Sequence, residues 1–130
     1  MGLAQQFIQL PVWAVVGASE NPDKFGYKIT VRLQSAGKEV FPVNPKPGQI
    51  NGREFYPDLS SLPKLPDVVD LVVPPPVALQ MVEECGKLGI KRIWFQPGTR
   101  SPEASRRCRE LGIDLVDDSC VLVELERQGQ

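Results

Sequence analysis

Histidine is absent from all 130 residues of this chain. That excludes histidine-based catalytic triads, phosphohistidine transfer and most zinc sites, because imidazole is the base, the phosphate carrier or the ligand in each. Cysteine is sparse: Cys85, Cys108 and Cys120 form an odd set with no C-x-x-C pair. Such a set reads as reduced, partly buried thiols rather than a disulfide framework or metal knuckle. Charge of one sign is lacking too, since 15 basic residues against 16 acidic ones leave a net charge of −1. The electrostatic footprint of a nucleic-acid binder is therefore missing. No apolar run approaches the length of a membrane span. The opening residues have no charged n-region or cleavage motif, and Gln6 stands where a myristoylation motif needs Ser or Thr. The expectation is a cytoplasmic protein with neither a membrane nor a nucleic acid as partner.

What is present is 42% apolar and 24% charged residues, enough for one domain with a real core. Apolar runs alternate with helical periods, the pattern of a parallel sheet flanked by helices. Val12–Ala18 reads as a first strand, continuously apolar and so buried on both faces. Phe25–Ala36 carries Ile29, Leu33 and Ala36 on one stripe, and Gly37 stops that helix. Glu39–Val43 reads as a second strand, cut off at Asn44-Pro45. Lys46–Pro57 reads as a surface loop with turns at Pro47-Gly48 and Asn51-Gly52, and Leu59–Leu62 as a short helical turn. Val68–Val73 is a third strand, followed by a helix over Val77–Leu88 with prolines in its first turn and Gly89 as stop. Lys91–Gln96 is a fourth strand. A helix capped by Ser101 with Pro102 at its first position then runs to Gly112, and Ile113–Val116 is a fifth strand. A short helix over Leu3–Leu10 packs outside, and the tail after Glu124 is expected to fray. The fold class expected is α/β: a single Rossmann-like, doubly wound domain over residues 1–130, with about five parallel strands flanked by helices.

In such sheets ligands bind beyond the carboxyl ends of the strands. Four strand ends are informative: Gly17-Ala18-Ser19, Asn44-Pro45-Lys46, Val73-Pro74-Pro75 and Gln96-Pro97-Gly98. All four fall on one edge. At the first, a glycine turn leading into a helix places backbone N–H groups where an anion can sit. The G-x-G-x-x-G spacing of a dinucleotide site is missing, because Gly17 is followed by Ala18 and Ser19 and the next glycine is Gly26. Ser19 offers a hydroxyl, and amides from Ala18 onward are placed to reach a pyrophosphate. Lys24 and Lys28 either add positive charge near the helix start or are plain exposed lysines. Tyr27 either packs on an adenine face or buries itself against the sheet, and Arg100 is equally open. The end of the second strand lacks the acid that holds the ribose hydroxyls of NAD and has Lys46 instead. A lysine there favours an adenosine with an extra ribose phosphate, as in NADP and coenzyme A, in a contact worth roughly 1.5–3 kcal/mol. No catalytic set emerges. Cys120 is a candidate for exchange with a thiol ligand, although its neighbours Asp117 and Asp118 are acids rather than the base or cation a nucleophilic thiol needs.

The phrases V-V-G-A-S, P-D-K-x-G-Y, V-x-P-V-N-P-K, I-x-G-x-x-x-Y-P-D-L, V-D-L-V-V-P and D-x-S-C-x-x-V-E follow one another from Val15 to Glu124. In that order they resemble the small stand-alone CoA-binding domain proteins. They also resemble the CoA-binding domain of ADP-forming acyl-CoA synthetases and of the succinyl-CoA synthetase α subunit. The resemblance implies coenzyme A or an acyl-CoA as ligand. It implies Gly17, Ala18, Ser19 and the residues to Lys24 as the phosphate-side loop, and Asn44, Pro45 and Lys46 beside the adenosine phosphate. Val73 and Pro74 would close on the nucleotide, while Gln96, Pro97 and Gly98 would follow the pantetheine arm. Those ligases have a glutamate where this chain has Pro97, and they pass phosphate through a histidine that this chain lacks. The implied role is a non-catalytic CoA module: a sensor, a carrier or a subunit for a protein partner. The alternatives are an NADP-binding oxidoreductase or sensor on the same sheet, and an interaction protein with a vestigial cleft.

Overall fold

Five short apolar segments build the central sheet of this computed structural model, which describes residues 2–130. They are β1 (Val12–Val16), β2 (Glu39–Val43), β5 (Val68–Leu71), β6 (Arg92–Phe95) and β7 (Asp114–Val116). All pair in parallel, in the order β2-β1-β5-β6-β7. Apart from Asp70 and the charged first residues Glu39, Arg92 and Asp114, the strands are apolar because helices cover both faces and leave no side for water. One face carries Ala14, Val69, Ile93 and Phe95 beneath α3 (Pro75–Leu88) and α4 (Pro102–Glu110). The opposite face carries Trp13, Val15, Val68 and Trp94 beneath α1 (Leu3–Ile8), α2 (Phe25–Ser35) and α5 (Val121–Arg127). No helix among the described residues is long and apolar enough to cross a membrane.

Local chemistry accounts for most boundaries. The Ser101 hydroxyl accepts from the Ala104 amide at 3.1 Å and Pro102 opens α4, a cap in which proline loses no needed donor. Gly89 ends α3 in the left-handed conformation, φ +80°. Two expectations change. The tail does not fray after Glu124: it forms α5, whose Val121 and Leu125 are fully buried against the sheet. The loop after β2 contains a small antiparallel hairpin, β3 (Gln49–Ile50) and β4 (Arg53–Glu54), turned at Asn51-Gly52 with both residues at positive φ. A 3₁₀ turn over Leu59–Ser61 follows. The N-terminal helix is ordinary packing, with Phe7 and Ile8 buried and the Phe7 ring 6.3 Å from that of Trp94.

One residue breaks the apolar rule. Asp70 sits on β5, between Val15 of β1 and Trp94 of β6, with no solvent exposure. Neither carboxylate oxygen has a hydrogen-bond partner. Burial pushes its pKa well above the ordinary value.

Candidate functional site

The strand order reverses between β1 and β5, since chain connections run to β2 on one side and on to β6 and β7 on the other. At such a point the loops part and leave a crevice at the carboxyl edge. Gly17 turns the chain there at φ +99°, and a Cβ on it would lie 2.1 Å from the Val72 carbonyl oxygen. No other residue fits. A Cβ on Gly26 would lie 1.9 Å from the Gly17 carbonyl oxygen, so Gly26 lets the first turn of α2 rest directly on the β1 turn. It performs the helix–strand packing of the last glycine in G-x-G-x-x-G, at the end of a longer loop.

That longer loop holds itself. The Asn21 amide donates to the Ser19 hydroxyl at 3.1 Å, and the Asp23 amide donates to the Asn21 side-chain oxygen at 2.9 Å. The Ala18 amide is not free for a ligand, a correction to the expectation, because it and the Gly17 amide both donate to the Val43 carbonyl at 3.3 and 3.0 Å. Ala18 itself is buried, whereas Ser19 is half-buried. Lys24 is the exposed residue that precedes α2, and no side chain caps that helix. Phe25 beside it is 58% exposed, and the Lys28 ammonium lies 5.6 Å from its ring centre. Tyr27 is half-buried.

Asn44 binds two loops together. Its side-chain amide donates to the Ala18 carbonyl at 2.7 Å, and its oxygen accepts from the Lys46 amide at 2.8 Å. Pro45 and Lys46 are exposed, and among the described residues nothing pairs with the Lys46 ammonium.

Between these loops and α3 runs a groove of about 490 Å³. Gly17, Asn44, Pro45 and Val73 line its mouth, so the structure brings together four residues singled out from sequence. Pro74 precedes α3 at the same edge. The far wall was missed: Asp58 and Leu59 on one side, and Val77, Gln80, Met81 and Glu84 of α3 on the other. Its signal is a second stripe at i, i+3, i+4 and i+7 beside the core stripe of Ala78, Val82 and Cys85. A wider hollow of about 620 Å³ lies along the hairpin, from Gln34 to Tyr56. It borders no carboxyl end of the central strands, and the groove at the reversal point is the better candidate.

The structure does not bring Gln96, Pro97 and Gly98 into this groove. The Gln96 side chain is buried, its oxygen accepting from the Val121 amide at 3.0 Å and its nitrogen 3.3 Å from the Cys120 sulfur. It caps α5 from a distance, because Cys120 at the cap position has no oxygen to do so. Pro97 and Gly98 form an exposed turn next to it. Arg100 donates to the Asp117 carbonyl at 3.2 Å. Burial pushes the Cys85 and Cys108 thiols up to about 12, which makes both inert. No cluster of metal-ligating side chains occurs among the described residues.

A family described as a CoA binding domain matches residues 11–126. The α subunit of ADP-forming acetate–CoA ligase I from Pyrococcus furiosus is 43% identical over 84 residues, 60% of this chain and 18% of that one. This chain thus spans under a fifth of that relative's length. The YneT protein of Bacillus subtilis is 28% identical over 110 residues, which cover 85% of this chain and 82% of YneT. A solved structure from Pyrococcus horikoshii OT3 superposes with a TM-score of 0.92 at 34% identity, covering 98% of this chain and 90% of the other. The doubly wound sheet, the glycine turn at its reversal point and a match over nearly the whole length agree, and the chain belongs to the CoA-binding domain family.

Proposed function

We propose that this protein is a cytoplasmic module that holds coenzyme A, or an acyl-CoA thioester, across the carboxyl edge of its sheet without catalysis of its own. The observation that carries this reading is the groove at the β1/β5 reversal, entered over a glycine turn that tolerates no side chain. Membership of the CoA-binding family gives that groove its ligand class. The donor set suits a polyanion. The first turn of α2 has no side-chain cap, and Ser19, Lys24 and Lys46 stand on the loops around it. Lys46 would answer the ribose phosphate, and Asn44 and Pro45 would shape the wall beside it. Val73 and Pro74 would flank the nucleotide, with Pro97 and Gly98 farther along the edge for the pantetheine arm. Tyr27 would support the α2 side. A non-catalytic role is supported by the absence of histidine and by cysteines that are buried or, at Cys120, engaged by Gln96. The acetate–CoA ligase relative is a subunit, which supports a partner-subunit or carrier role.

Isothermal titration with coenzyme A, dephospho-CoA and NADP⁺ tests the reading. Coenzyme A is expected to bind and dephospho-CoA to bind more weakly; no heat with coenzyme A overturns it. Preferential NADP⁺ binding would instead favour the dinucleotide alternative, which the same Lys46 position supports. By mass action, ligand at 100 times its dissociation constant adds about 2.7 kcal/mol of stability, so a thermal shift offers an independent check.

A further inference from the structure

Another hollow, of about 440 Å³, opens on the same carboxyl edge, on the α4 side of the sheet where β6 and β7 end. Arg100, Ser101, Ser105, Arg109 and Asp117 line it, so two guanidinium groups and one carboxylate face a common space. Ser101, Ser105 and Arg109 stand at i, i+4 and i+8 on one stripe of α4, and a helical side chain leans toward the N-terminus, which brings Arg109 over Ser105. The walls are fastened. Buried Thr99 ties the turn that carries Arg100, its amide and hydroxyl both donating to the Gln96 carbonyl at 3.0 and 2.7 Å. One Arg100 nitrogen donates to the Asp117 carbonyl at 3.2 Å and leaves the rest of the fork for a ligand. The buried Ser105 hydroxyl donates to an Asp117 carboxylate oxygen at 3.0 Å and holds that acid against α4. Among the described residues no acid pairs with Arg100 or Arg109, whereas Arg53, Arg107 and Arg127 each pair with a glutamate.

We propose that this hollow receives a carboxylate at the far end of an acyl group, so that the thioesters this protein holds are those of dicarboxylic acids. The proposal rests on the coenzyme A reading above and names the acyl class that reading leaves open. A pantetheine arm passing Pro97 and Gly98 would deliver its thioester two residues from Arg100. From β1 to β7 is three strand spacings, about 14 Å, less than the length of an extended phosphopantetheine arm. A guanidinium fork matches a carboxylate in shape as well as charge. Two cations against one anion leave the hollow a single positive charge, which suits a carboxylate better than a phosphate dianion. An apolar acyl tail gains no polar contact there. Both arginines are exposed, which keeps the expected preference to several-fold.

Isothermal titration of the full chain with malonyl-, succinyl- and glutaryl-CoA tests this, each against the thioester with a methyl in place of the far carboxylate: propionyl-, butyryl- and pentanoyl-CoA. On the wild type the acid of at least one pair is expected to bind about five- to tenfold more tightly than its methyl counterpart. In Arg109→Gln and in Arg100→Gln that preference is expected to fall to within about twofold, with the methyl thioester's affinity and the urea midpoint unchanged. Equal affinities within all three pairs would overturn the acyl class while leaving coenzyme A binding intact. A preference that persists in both variants would remove this hollow from the role. Heat from free succinate on the coenzyme A-loaded protein, with no preference among the thioesters, would make it a site for a free acid instead. No binding of any thioester would sink this proposal and the reading beneath it.

Discussion

Two stretches of one sheet edge use the same residue types to opposite ends. Where β2, β1 and β5 finish, Gly17, Asn44, Pro45 and Val73 surround an open groove, and the adjoining helix α2 begins with no side-chain cap. Where β6 and β7 finish, the Gln96 amide is spent on the first turn of α5 and on Cys120. The difference lies in what each neighbouring helix demands. A polar strand-end residue is free for a ligand only if no helix terminus has claimed it.

The sharpest way to break this contrast is Gly17→Ala. Its Cβ would collide with the Val72 carbonyl, and its φ of +99° is foreign to alanine. A loss of about 3 kcal/mol or more in urea unfolding is expected, with coenzyme A binding abolished. A variant as stable as the parent would show that the turn is not strict.

Asp70 takes part in neither stretch, since it lies beneath the edge, inside β5. Its folded-state pKa is raised above the unfolded value of about 3.8. The folded protein therefore keeps a proton that the unfolded chain gives up, and stability falls as pH climbs from that value through the raised one. Relative to Asp70→Asn, the wild type should weaken by up to about 1.4 kcal/mol per pH unit over that window and then level off. Urea unfolding of both proteins from pH 5 to 7 measures it, and a gap that ignores pH refutes it.

At the closed end, Gln96→Ala removes the cap on Val121. A cost of about 1–2 kcal/mol is expected, seen as faster amide exchange in α5, with coenzyme A affinity unchanged. A large loss of affinity would move Gln96 from the helix to the ligand. The smallest effect is at the open end, where Lys46→Ala should weaken coenzyme A several-fold and leave dephospho-CoA unaffected. Equal losses for both ligands would detach Lys46 from the ribose phosphate.

The sheet was legible because its strands are mainly apolar and four of the five run into Gly, Asn or Pro within three residues. The caps at Ser101-Pro102 and Gly89 were legible for the same local reasons. α5 was not: a helix of barely two turns such as VLVELER acquires its helicity from burying Val121 and Leu125, and tertiary packing leaves little trace in sequence. The hairpin strands of Gln49–Ile50 and Arg53–Glu54 are too short to display alternation, although their Asn51-Gly52 turn was visible. In the site, strand-end residues stood out by type. The Glu84 wall did not, because a groove stripe and a core stripe share one helix and only burial separates them.

The hairpin has a consequence for assembly. Tyr56, just beyond it, forms a bridge to Val43, donates its amide to the Pro42 carbonyl and accepts from the Asn44 amide, both at 2.9 Å. The outer rim of β2 is thereby roofed over by the chain's own backbone, and no foreign strand can add to the sheet along that stretch. A subunit that extends this sheet would have to join it away from Pro42–Asn44, for instance along β7 at the opposite edge.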